Sequence, residues 1–216
     1  MSEPAMVETA LSNSIGTFAS LVAEGTPAPG GGSVAAYCGV LAASLGQMVC
    51  NLTIGKKKFA ESEARLLVVR PQLERLGERL RNLIAEDAAS FEGVLGAYRL
   101  PKESHEQNAA RAEAIQRALQ LAVAVPLETA GLSMEVLRLL REIADIGNSN
   151  ALSDVAVGAQ LAQTAVKGAS YNVAVNLDSI SDREFVSATR QKMDELIEES
   201  RTIADQVEAR LQLQKA

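Results

Sequence analysis

Apolar positions recur every three or four residues along most of the chain, and alternating β-branched runs closed by hairpin turns are nearly absent. That period predicts amphipathic helices near residues 5–24, 33–54, 60–98, 104–146, 150–176 and 182–213. The fold class is all-α: one domain over residues 1–216, a multihelical bundle of long antiparallel helices. Pro71 and Pro126 are expected to start, kink or split their helices, because proline lacks the amide hydrogen and its ring crowds the preceding turn. Ser104-His105-Glu106-Gln107 and Ser181-Asp182-Arg183-Glu184 match the capping box, in which two side chains satisfy orphan amides reciprocally. His105 then falls in a solvated first turn. In the last segment Met193, Leu196, Ser200, Ile203 and Val207 form a seam for packing on another helix.

One segment breaks the pattern, since no charged residue occurs from Gly25 to Gly55. It is long enough to cross a bilayer. Its prolines, glycines, Ser33, Ser44, Gln47, Asn51 and Thr53, and the lack of aromatic belts, argue for a buried helix instead. Along it Ala35, Gly39, Ala42 and Gly46 make a face of small residues that admits another backbone closely. Ser44, Gln47 and Asn51 follow a second face; they either bond to neighbouring core helices or orient a neutral heterocycle.

Pro29-Gly30-Gly31-Gly32 precedes that helix and Lys56-Lys57-Lys58 ends it. The glycines are either a plain turn into the helix or, with exposed amides and the positive end of the dipole, a cradle for an anion or carbonyl. No strand precedes them and no Gly-Lys-Ser/Thr follows, so neither the dinucleotide fingerprint nor a phosphate loop is present. The lysines either complement the helix C-terminus or hold a substrate carboxylate and move a proton.

Two aspartates interrupt apolar lines. Asp87 shares a stripe with Leu80, Ile84, Phe91, Val94 and Tyr98, where a buried carboxylate requires a cation, a proton or a ligand. Asp154 shares a line with Asn150, Val157, Leu161 and Thr164 after the turn Gly147-Asn148-Ser149-Asn150, where it serves as a cap or a site residue. Asn172 and Asn176 lie one turn apart on a face with Gly168.

Composition narrows the partners. A net charge of -6 and 3% aromatic residues supply neither phosphate-neutralising surface nor stacking platforms, so nucleic acid is excluded. Cys38 and Cys50 lie in one apolar stretch and read as reduced, buried thiols. One histidine and two cysteines cannot complete a zinc site, and no metal or cofactor is expected. The start of the chain lacks the basic and apolar regions of a leader, which places the protein in the cytoplasm, off the membrane.

The strings TPAPGGGSVAA (26–36), LTIGKKKF (52–59), EDAASF (86–91), AYRLPK (97–102), GNSNALSD (147–154) and KGASYNVAVNLDSISD (167–182) resemble, in order and spacing, the cyclodeaminase/methenyltetrahydrofolate cyclohydrolase family. The likeness covers nearly the whole chain, and its wording is most similar to the stand-alone bacterial cyclohydrolases. It implies an all-helical homodimer, or larger oligomer, acting without a metal on the one-carbon bridge of tetrahydrofolate. The hydrolytic reading converts 5,10-methenyltetrahydrofolate to 10-formyltetrahydrofolate; the alternative cyclises 5-formiminotetrahydrofolate with loss of ammonia. Outside these stand a non-catalytic folate-binding module and a structural helical adaptor. Under the resemblance Lys56, Lys58, Asp87 and Asp154 are the catalytic candidates. Pro29, Gly30, Gly31, Gly32 and Ser33 cradle a carbonyl or carboxylate, Asn148 with Asp154 reads the pterin edge, and Gln47, Asn51, Asn172 and Asn176 orient the ring.

Overall fold

The protein is described here by a computed structural model covering residues 15–215, and six helices carry the chain through them. They are α1 (Ile15–Ala23), α2 (Gly31–Thr53), α3 (Ala60–Tyr98), α4 (His105–Ile146), α5 (Leu152–Leu177) and α6 (Arg183–Lys215), with single 3-10 turns at Lys57–Phe59 and Ser149–Ala151. Five of the predicted helices match within a few residues. Of the first, residues 5–14 lie outside the described part. The described residues contain no strand.

The uncharged helix α2 packs against α3, α4 and α5, and α6 lies over α4 and α5. Small residues make this possible. Ala35 and Ala42 are buried, and a β-carbon on Gly39 would stand 2.7 Å from Ser133 Oγ of α4, so only a glycine lets these two helices approach as they do. Leu140 of α4, fully buried, fills the space left by Gly46 of α2 and Gly158 of α5. By length and composition α2 could cross a membrane, with mean hydropathy 1.5, and 56% of that window is buried within the protein. On α6 Met193, Ser200 and Val207 are buried and Leu196 and Ile203 half-buried, as the seam predicts.

Neither proline splits its helix: Pro71 and Pro126 lie within α3 and α4, which continue past them. A proline deprives the carbonyl four residues earlier of its partner. For Pro126 that carbonyl belongs to Ala122, and the Asn176 side-chain amide donates to it at 3.3 Å. For Pro71 it belongs to Leu67, a residue on the exposed side of α3.

The Ser104 capping box forms, each of its two bonds at 3.2 Å, and His105 is exposed. The second cap moves by one residue. Asp182, not Ser181, accepts from the Phe185 amide at 3.0 Å, because Gln116 of α4 engages the Ser181 amide and hydroxyl at 2.8 and 2.9 Å.

Candidate active site

The turn into α2 begins with Thr26, whose hydroxyl donates to the Ala28 carbonyl at 3.1 Å, passes a cis Ala28–Pro29 peptide, and ends at the N-cap Gly30. Glycine has no side chain to satisfy the first amides of the helix. Asp87 of α3 supplies what Gly30 lacks. Its Oδ2 lies 3.0 Å from Ser33 Oγ, and the Ser33 amide also donates to its carboxyl group. The partner of this partly buried carboxylate is therefore a helix N-terminus with its favourable dipole, rather than a cation. Burial pushes the Asp87 carboxyl above its ordinary value of 3.8, while the Ser33 hydroxyl and amide pull it back.

The apolar stripe through Asp87 is only half covered. Leu80 and Ile84 are fully buried, but Phe91 and Tyr98 are 38% and 45% exposed. Beyond Asp87 the face of α3 thus opens onto a cavity of about 270 Å³. Pro27, Ala28 and Gly30 to Gly32 of the turn, Asp87 and Phe91 of α3, Ala122 of α4, and Asn172 and Asn176 of α5 line it. Asn172 Nδ2 donates to the Gly168 carbonyl at 2.9 Å, and Asn176 Nδ2 to the carbonyls of Asn172 at 2.9 Å and Ala122 at 3.3 Å. Carbonyls only accept, so both amide nitrogens are turned to the backbone, Asn172 keeping one hydrogen to spare, and each Oδ1 remains an acceptor. A carboxyl group and two amide oxygens in an uncharged cleft suit a ligand bearing N–H donors and a positive centre.

Two larger hollows lack such chemistry. One, about 390 Å³ between α3 and α4, is lined by Arg79 and Arg138, which pair with Glu86, Glu128 and Glu199. The other, about 580 Å³ beside α5 and α6, is mainly apolar.

A profile of the formiminotransferase-cyclodeaminase family matches residues 14–195. The chain belongs to the formiminotransferase-cyclodeaminase family. Over 193 residues it is 40% identical to a methenyltetrahydrofolate cyclohydrolase of Methylorubrum extorquens, an alignment covering 89% of this chain and 93% of that protein. It is 36% identical over 208 residues to the formimidoyltransferase-cyclodeaminase of Rattus norvegicus, which takes in 96% of this chain but 38% of that longer protein. The crystal structure of a formiminotetrahydrofolate cyclodeaminase from Thermotoga maritima superposes with a TM-score of 0.84 at 28% identity, covering 94% of this chain and 98% of that one.

Of the residues singled out from the sequence, the chain gathers Gly30, Gly31, Gly32, Asp87, Asn172 and Asn176 around the cavity. Pro29 is buried behind the turn, and Ser33 reaches Asp87 from beneath rather than facing the cavity. The others lie toward the opposite end of α2, from roughly 25 Å away for Gln47 to roughly 35 Å for the lysines at 1.5 Å per residue. Lys56, Lys57 and Lys58 are exposed; Lys58 Nζ stands 5.3 Å over the Phe59 ring, and none makes an ion pair among the described residues. Asn148 is committed to the backbone, its amide donating to Thr53 Oγ1 at 2.9 Å, its Nδ2 to the Leu52 carbonyl, and its Oδ1 accepting from Asn150. Asn51 accepts from Arg70 at 3.2 Å, and Gln47 faces Gly77 of α3. Asp154 lies in the first turn of α5 with no bonded partner among the described residues. The chain by itself therefore does not assemble the lysines and Asp87 into a single pocket.

Pro27, Ala28, Val94, Ala122 and Val175 also line the cavity. Ala122 had one signal in the sequence: it sits four residues before Pro126, where a carbonyl is left for a side chain to claim.

Proposed function

We propose that the chain hydrolyses the one-carbon bridge of 5,10-methenyltetrahydrofolate to 10-formyltetrahydrofolate, a step of one-carbon metabolism. The carrying observation is Asp87, an acid–base group alone in an uncharged cleft, facing a substrate whose reactive carbon is cationic. Its carboxylate attracts the cationic bridge and takes a proton from water as the water oxygen bonds to the bridge carbon. The same proton then passes to N5 as the carbon–N5 bond breaks. The adduct's hydroxyl proton leaves to solvent as the formyl carbonyl forms, so one proton is released per turnover. Asn172 and Asn176 accept from the ring's N–H groups, and the glycine turn leaves room for the ring against the backbone. No cofactor enters this scheme. The cyclohydrolase of Methylorubrum extorquens, matched over 93% of its length, supports the hydrolytic direction.

The likeness to the Thermotoga maritima cyclodeaminase favours a second reading at the same place. There N10 of 5-formiminotetrahydrofolate attacks the formimino carbon, and Asp87 carries a proton from N10 to the departing ammonia.

The enzyme acts as a homodimer in the cytoplasm. A cavity of about 270 Å³ accommodates a bicyclic ring but falls below the usual size for a whole drug-sized ligand. Beside it Val34, Leu41, Leu45, Met48 and Leu52 of α2 recur on one face, adjoining exposed Val157, Tyr171 and Val175 of α5. Antiparallel pairing of two α2 helices about their midpoint, Ala42, covers this face. It sets the partner subunit's Lys56 beside Ala28 and completes the site from the other chain. There Lys56 or Lys58 balances the adduct's charge or the substrate's carboxylates. Asp154, at the same end, approaches the partner's cavity with them.

Side-by-side assays of purified protein on the two folates test the reading. Accelerated loss of methenyl absorbance supports the hydrolase, and methenyl formation with ammonia supports the deaminase. A folate that raises the melting temperature without reacting points to a binding module, and no shift with any folate to a structural adaptor.

A further inference from the structure

Ser33 is fully buried, and its Oγ lies 3.1 Å from the Ile84 carbonyl and 3.0 Å from Asp87 Oδ2. A serine hydroxyl owns a single hydrogen, so it donates to one of these acceptors at a time. Both placements are complete. When Asp87 is ionised, the hydrogen goes to Oδ2, and the Ile84 carbonyl keeps its own helical bond. When Asp87 is protonated on its cavity side, Oδ2 is a weaker acceptor, and the serine hydrogen turns to the Ile84 carbonyl. Neither state strands a buried polar atom, and neither moves a heavy atom.

We infer that Ser33 is a positioning residue whose hydroxyl turns between Asp87 and Ile84, letting one carboxyl group serve as base and then as acid in the same turnover. The inference rests on the acid–base role proposed for Asp87. In the water-addition step the abstracted proton lodges on the side of the carboxyl group that faces the cavity, and the serine hydrogen turns to Ile84; in ring opening the proton goes to N5, and the serine hydrogen returns to Oδ2 of the carboxylate. Oδ1 is pressed against Gly32, which leaves Oδ2 as the oxygen that the serine hydroxyl reaches.

Within its own chain no charged side chain faces Asp87 across the cavity; the lysines and Asp154 that the proposed pairing brings come from the partner. The α2 turn contributes Gly30 to Gly32 to the cavity, α4 contributes Ala122, and α5 contributes Asn172, Val175 and Asn176. On α3 itself Glu86 is turned to Arg79. Within one chain the choice between the two states is left to the hydroxyl and the cationic substrate.

The test is Ser33→Ala, alone and combined with Asp87→Asn, followed by single-turnover kinetics across pH. Removing the donor destabilises the carboxylate, so Asp87 holds its proton to higher pH and the acid limb of kcat/KM moves upward. Near that limb the rate is expected to fall at least about tenfold. Because Ser33 acts through Asp87, Ser33→Ala adds little to the loss already caused by Asp87→Asn. A wild-type pH profile in Ser33→Ala, or additive losses in the double variant, would overturn the inference and leave Ser33 as a tie between α2 and α3. If Ser33→Ala fails to fold, the same limb is read in Ser33→Thr, which retains the hydroxyl and is expected to keep the parental profile; a profile displaced upward there contradicts the inference. Full activity in Asp87→Asn would instead remove the role of Asp87 itself.

Discussion

Asp87 Oδ1 is set so tightly against Gly32 that a β-carbon on residue 32 would stand 2.1 Å from it. Such a distance cannot be absorbed without moving either the carboxyl group or the start of α2. Gly32→Ala is therefore expected to lower turnover by at least about a hundredfold, the scale of losing a general base, while circular dichroism still reports a helical protein. Wild-type turnover in this variant would show that Asp87 does not work from its place against the turn.

Asp87 also links stability to pH. Burial raises its native value above the ordinary 3.8 of the unfolded chain, so within that window the native protein binds more protons than the unfolded one. Stability then falls as pH rises through the window and stays lowered above it. Asparagine has no proton to lose. Asp87→Asn is expected to melt at a higher temperature than the parent at neutral pH, with the gain vanishing below about pH 4, while turnover drops at least about a hundredfold. A variant that melts lower at neutral pH would mean that the Ser33 contacts outweigh desolvation.

The proposed sharing of sites between subunits has a quantitative signature. In a hybrid of Asp87→Asn with Lys56→Met, a site built from two chains is intact once per hybrid dimer. A randomly reassorted equal mixture should then regain about a quarter of wild-type activity from two nearly inactive parents. If each site belongs to one chain, every site in the mixture carries a lesion and nothing is regained.

Much of the architecture was legible in the residues. Helical period, the Ser104 box and the seam on α6 depend on neighbours within a few positions, which is why those elements stand where they were expected. How the helix runs on past Pro126 was not legible, for the opposite reason: the group that takes up the freed carbonyl is Asn176, on a different element. The glycine turn and Asp87 were each recognisable as unusual, the one for its backbone freedom and the other as a carboxylate on an apolar stripe. Nothing local told that they answer each other, Asp87 standing in for the side chain that Gly30 lacks.

Lys56 shows the same division most plainly. From residue types alone it belonged with the glycine turn, since one helix carries both. Yet a straight helix that long also holds its ends roughly 35 Å apart, and no rotation of side chains closes that gap. Sequence periodicity assigns a residue to a helix and to a face of it, because both repeat with the backbone. Which polar groups meet depends on how far along each helix they lie and which neighbour packs there. That choice was made by the packing of α2 among α3, α4 and α5, where small side chains allow close approach and buried hydrogen bonds must be completed.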